Sequence, residues 1–198
     1  MLDAHRNIFK DPERKIGKFF SYLPLKPNHY TITSLLFAFV AFYFLLKINI
    51  LLAVLFFVFS SFLDFVDGAV ARYKNQTTKF GAYLDTIIDR FVEGIFLLGF
   101  LFLPLPEIFL KSYIWIFLIL FGSLMTTYAK AAAKEKDLVV EEMKGGLLAR
   151  GERITLIIIS LILGYFINFY LTVCFLIGIA FLTNFTALQR IYFAYRKK

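Results

Sequence analysis

The sequence predicts an all-α integral membrane protein, with six transmembrane helices preceded by an N-terminal amphipathic interfacial helix. Three observations lead there. The 198 residues are 60% hydrophobic with a mean hydropathy of +0.72, too apolar for a water-soluble domain. The apolar residues gather into segments at 30–46, 50–72, 80–103, 112–133, 153–167 and 169–190, most of them near the ~20 residues that cross a hydrocarbon core. Finally, the basic residues flank these segments rather than spreading along a soluble face. A chain of this length has room for one membrane domain, 1–198, with the bundle at 30–190.

Residues 3–22 interleave Ile8, Phe9, Ile16, Phe19 and Phe20 with Arg6, Lys10, Arg14, Lys15 and Lys18, the pattern of a helix lying among headgroups, with a fresh start at Pro12. A disordered basic leader is the alternative. Pro24 and Pro27 then turn the chain into the first span, where Asn28 and Thr31 stand at its mouth as candidate helix caps. His5 and His29 lack a second soft ligand at metal spacing. Cys174, the single cysteine, sits in an apolar run and forms no intramolecular disulfide, as a lipid-facing or core residue would. The charged first thirty residues contain no continuous apolar core, so the first span is expected to insert without cleavage.

Orientation follows from charge. Apart from Lys47, Lys111 and Arg90, every Lys and Arg lies at the termini, between spans two and three, or between spans four and five with the adjoining helix ends. The positive-inside rule therefore assigns both termini and the Asp64 to Asp89 site to the cytoplasmic side. The net charge of +8 suits anionic lipid headgroups better than nucleic acid, because no soluble basic face with stacking aromatics is present.

Function is concentrated between Asp64 and Asp89, which reads DFVDGAVARYKNQTTKFGAYLDTIID. An aspartate at the centre of a membrane helix costs about 2.5 to 3.5 kcal/mol, so Asp64, Asp67, Asp85 and Asp89 require compensation. At about 100° per residue, Asp64, Asp67 and Ala71 share one helix face, and Gly81, Asp85 and Asp89 share another. Two helices joined by a short polar link can thus gather four carboxylates. Such an oxygen-only set, with no Cys or His nearby, favours Mg²⁺ or Mn²⁺, ions that usually work beside phosphate oxygens. Gly68, Ala71 and Gly81 leave space for a bulky ligand, and Arg72 offers a planar, permanently charged fork to phosphate.

These residues spell D-x-x-D-G-x-x-A-R and, after YKNQTTKF, G-x-x-x-D-x-x-x-D. The stretch resembles the signature of the CDP-alcohol phosphotransferases. The resemblance implies a six-helix membrane enzyme, usually a homodimer, that moves a substituted phosphate from a CDP-activated alcohol to an acceptor hydroxyl and releases CMP. It also implies two divalent ions on Asp64, Asp67, Asp85 and Asp89, with Asp89 as proton acceptor. Asn28, Thr31, Asp64, Asp67, Gly68, Ala71, Arg72, Thr78 and Gly81 would then contact the CDP group.

The connection between spans four and five, TTYAKAAAKEKDLVVEEMKGGLLARGERI, is similar to members that use inositol phosphate, through Thr127, Tyr128 and Lys130 and through Gly146, Arg150, Glu152 and Arg153. It departs from that subgroup at Ala132, where a second arginine is common, and at Lys134, where an acid is common. Lys130, Arg150, Arg153 and Arg190 are the expected acceptor-phosphate residues, unless they only anchor topology. The expected reaction joins a phosphatidyl or archaetidyl group to myo-inositol 1-phosphate. The alternatives are another acceptor (glycerol 3-phosphate, inositol or serine), soluble CDP-inositol as donor, or, from a different class, a cation transporter.

Overall fold

Helices α1 (Lys10–Ser21), α2 (Pro27–Leu46), α3 (Ile50–Tyr73), α4 (Lys79–Phe100), α5 (Ser112–Glu135), α6 (Arg150–Phe166) and α7 (Phe169–Arg196) follow one another in the computed structural model, which describes residues 10–139 and 146–196. Residues 3–9 of the expected interfacial helix and 140–145 of the expected fourth-to-fifth connection lie outside the described residues. Helices α2 to α7 coincide with the six apolar segments, but only α2, α3, α5 and α7 are long and apolar enough to cross a bilayer by length and composition. The reasons are local. Helix α4 carries Lys79, Asp85, Asp89, Arg90 and Glu93, and α6 has 17 residues.

Helix boundaries reflect their capping residues. Pro27 takes the first position of α2 after Lys26, and the His29 ring accepts a hydrogen bond from the Lys26 amide at 3.4 Å. Asn28 and Thr31 therefore lie inside the first turns and do not cap α2. Asn49 accepts from the Leu52 amide at 3.3 Å to start α3, and Thr78 accepts from the Gly81 amide at 2.9 Å to start α4. Between those two helices Asn75 adopts the left-handed conformation, φ 52°, one that asparagine tolerates better than most residues. The turn is thereby kept short.

The chain divides into two compact units, one running to Leu103 with α1 to α4 and one from Pro104 with α5 to α7. In the first, α2 packs along both α3 and α4. Ala38, Ala41 and Ala53 are fully buried, and Phe57 stacks on Phe96 at 3.5 Å between centroids. Small side chains allow such close helix approach in the absence of a hydrophobic drive from lipid. Helix α1 lies on α3, where Ile16 and Phe20 pack on Tyr30, Val66 and Val70, and the Tyr30 hydroxyl donates to the Phe20 carbonyl at 3.0 Å.

Gly17 fixes that approach, because a Cβ there would come within 2.5 Å of the Ala69 carbonyl oxygen. Gly17→Leu is expected to cost about 1 to 3 kcal/mol through overpacking. A lowered Tm in detergent checks it; an unchanged Tm would mean α1 does not hold this contact.

In the second unit α7 packs along α5 and α6 around Ile119, Ile157, Leu161, Leu176 and Ile179. Gly122 leaves space for Asn184, whose Nδ2 donates to the Leu118 and Ala180 carbonyls at 2.9 Å. Cys174 is exposed on α7, consistent with a lipid-facing position.

Candidate active site

Helix periodicity sets one turn of α3 so that Asp64 and Asp67 project together, and the first turns of α4 add Asp85. One carboxylate oxygen from each of these three lies within 4.8 Å of the other two. Asp67 is buried and accepts a 2.5 Å hydrogen bond from the Thr31 hydroxyl of α2, while Asp64 and Asp85 are half-buried. Three carboxylates this close repel one another unless a cation is shared. The donor set, oxygen atoms only and one of them oriented by a hydroxyl, fits a hard divalent ion such as Mg²⁺ or Mn²⁺.

Asp89 is not in that trio. It follows Asp85 by one turn on the same face of α4, 3.8 Å from the Arg90 guanidinium, which also pairs at 3.1 Å with the almost wholly buried Glu93. A buried acid beside an arginine is the arrangement that makes α4 tolerable in an apolar setting.

A cavity of about 140 Å³ opens beside Asp67 and Asp85. Helix α2 contributes Asn28 and Thr31 to its wall, α3 contributes Gly68, Ala71 and Arg72, and the link and α4 contribute Thr78 and Gly81. Asp64, expected there too, joins the carboxylate trio without lining the cavity. Pro27, Gln76, Thr77 and Ala82 complete the wall and were not expected from the sequence. Gln76 and Thr77 are legible in retrospect as the polar residues beside Thr78. A Cβ on Gly81 would stand 3.3 Å from Asn28 Oδ1 and 3.0 Å from Thr78 Oγ1, so this glycine preserves space where two polar side chains meet.

The four basic residues expected at the acceptor belong to the second unit. Arg153 is buried and donates to the Ser123 hydroxyl at 2.8 Å, and Arg190 donates to the Thr126 carbonyl at 2.8 Å. Ser123, Thr126 and Lys130 share a face of α5 by their spacing, while Arg150 opens α6. Ser123 and Thr126 were missed in the sequence because hydroxyls in an apolar helix usually bond to their own backbone, as Thr126 also does to Gly122 at 2.7 Å.

Known proteins share this architecture and sequence. Archaetidylinositol phosphate synthase from Pyrococcus horikoshii is 34% identical over 206 aligned positions, covering 100% of this chain and 98% of that protein. A bifunctional IPC transferase and DIPP synthase from Aquifex aeolicus is 35% identical over 144 residues, which are 70% of this chain. There the match spans about a third, 32%, of the longer protein.

Crystal structures of Mycobacterium tuberculosis phosphatidylinositol phosphate synthase share the fold at a TM-score of 0.78 and 22% identity. The form with CDP-DAG bound is matched over 92% of this chain and 93% of that one, and the complex with manganese and citrate over 92% and 88%. The sequence profile of CDP-alcohol phosphatidyltransferases matches residues 25–186, from the turn before α2 into α7, and the chain belongs to that family.

Proposed function

We propose that the protein transfers a phosphatidyl or archaetidyl group from a CDP-lipid to myo-inositol 1-phosphate, releasing CMP, as a step of phospholipid synthesis. The observation that carries this reading is the closure of Asp64, Asp67 and Asp85 to within 4.8 Å beside a cavity bounded by Gly68, Arg72 and Gly81. The same profile runs through both compact units, which supports a single domain over 1–198. We read α2 to α7 as six spans and α1 as the interfacial helix, with both termini cytoplasmic by the charge rule and the enzyme a homodimer.

Asp64, Asp67 and Asp85 hold Mg²⁺ or Mn²⁺, two ions on this reading, which when bound supply charge neutralisation at the diphosphate and at departing CMP. The chain's own residues do the rest. Thr31 orients Asp67 through its hydroxyl. Asn28, Gly68, Ala71, Thr78 and Gly81 form the wall against which the cytidine diphosphate lies, and the Arg72 guanidinium donates to a phosphate oxygen. The acceptor oxygen bonds to the lipid-side phosphorus, the bond from that phosphorus to the CMP oxygen breaks, and the hydroxyl proton passes to Asp89. Lys130, Arg150, Arg153 and Arg190 bind the acceptor phosphate, a monoester bringing about two negative charges that serine or free inositol would lack.

Against the alternative of soluble CDP-inositol as donor, the match over 98% of the Pyrococcus archaetidylinositol phosphate synthase favours the lipid donor. The test is a donor and acceptor screen in detergent, following CMP release from CDP-diacylglycerol, CDP-archaeol and CDP-inositol. Inositol 1-phosphate should exceed glycerol 3-phosphate, free inositol and serine. A preference for serine or free inositol would overturn the acceptor assignment, and failure to release CMP from all three CDP donors would overturn the donor reading. Arg150→Gln is expected to raise the acceptor KM about tenfold with donor KM unchanged, since ground-state contacts appear in KM. Equal KM values in variant and parent would make Arg150 a topology anchor.

A further inference from the structure

Arg72 is held between two elements. Its guanidinium lies over the bare Cα of Gly68, where a Cβ would come within 2.9 Å of Nη2 and 3.1 Å of Nη1. Its Nε donates to the carboxylate of Glu13 on α1. That helix is itself fixed on α3 by Gly17 against Ala69 and by Ile16 and Phe20 against Tyr30, Val66 and Val70. Arg72 lines the cavity beside Asp67 and Asp85, and it also lines a second cavity, about 270 Å³, with Glu13, Arg14, Ala69 and Tyr73. A long side chain bordering two open spaces has rotamers that lead into either one.

We infer that Glu13 is a positioning residue for the donor: by engaging Nε from α1 it keeps the Arg72 guanidinium over Gly68, with Nη1 and Nη2 in the wall of the cavity where the diphosphate binds. The planar guanidinium suits this, because one edge is occupied by the carboxylate while the terminal amines keep their fork for phosphate oxygens. The interfacial helix thereby becomes a part of nucleotide recognition. The inference rests on the proposed donor reading of the cavity and adds a residue to it that lies outside the signature stretch.

The test uses the full chain in detergent, with Glu13→Gln, Arg72→Gln, the double variant, and Lys15→Gln as an exposed control on the same helix. CDP affinity with Mn²⁺ is read by calorimetry, and KM for CDP-diacylglycerol and for the acceptor is read separately. Arg72→Gln should weaken CDP binding about tenfold, and Glu13→Gln about threefold, the smaller figure reflecting a partly exposed pair. The double variant should bind no worse than Arg72→Gln, and the acceptor KM should not move.

A parental donor affinity in Glu13→Gln, additive losses in the double variant, or equal rises in both KM values would overturn the inference while leaving the donor reading intact. If Arg72→Gln binds CDP as the parent does, the donor reading of this cavity itself fails. Should Glu13→Gln be recovered unfolded, Glu13→Ser is measured against the same criteria.

Discussion

Asp67→Asn is expected to abolish CMP release. The substitution keeps the side chain's shape and retains an oxygen to accept from Thr31, but it removes the charge of the one buried member of a carboxylate trio whose oxygens lie within 4.8 Å of one another. Removing an outer partner of a metal ligand typically costs about 10- to 100-fold in metal affinity or activity, so loss of a ligand should exceed that range. Thr31→Ala, which leaves all three carboxylates in place, should fall within it.

Folding gives a second readout. Removing one of three crowded negative charges relieves repulsion in the metal-free protein, so Asp67→Asn should melt no lower than the parent without divalent ions. Mn²⁺ should raise the parental Tm and leave that of the variant nearly unchanged, because only the parent gains stability from binding. Substantial turnover by the parent in excess chelator would sink the metal assignment, whatever the variant does.

The second large effect is expected at Asp89. If this carboxylate accepts the proton of the attacking hydroxyl, Asp89→Asn should lower kcat about 10²- to 10⁴-fold and leave affinity for the CDP-lipid almost untouched. The position of Asp89 outside the carboxylate trio, a turn beyond Asp85, is the reason to separate the two roles. Its neighbourhood matters as well, since Arg90 reaches both Asp89 and buried Glu93 and so limits where the carboxylate can turn. A loss of CDP binding in proportion to the loss of rate would make Asp89 a ligand, and the proton acceptor would have to be another group.

The sequence was legible wherever function depends on neighbours along one helix. The spacing of Asp64 and Asp67, and that of Gly81, Asp85 and Asp89, puts each set on one face through the 3.6-residue turn alone, and the short polar link makes the two helices neighbours. Thr78 was expected to line a pocket and does line the cavity, but its cap on the Gly81 amide depends on where α4 begins. For Asn28 and Thr31 the residue types suggested capping; Pro27 at the first position of α2 removed that role. Span count was less legible, since α4 must carry its acids through an apolar stretch and α6 is short.

By itself, then, the amino-acid order determined the helical class, the apolar segments and which carboxylates share a face, because each is a property of consecutive residues and a fixed helical repeat. Only the tertiary structure decided which faces meet. Thr31 donates to Asp67 across 36 positions, Arg72 pairs with Glu13 across 59, and Arg153 reaches Ser123 across 30. No periodicity relates such residues. They come together because small residues such as Gly17, and the packing of Phe57 on Phe96, set how closely each pair of helices approaches, and a hydroxyl or carboxylate on the facing surface then meets its partner within hydrogen-bond reach.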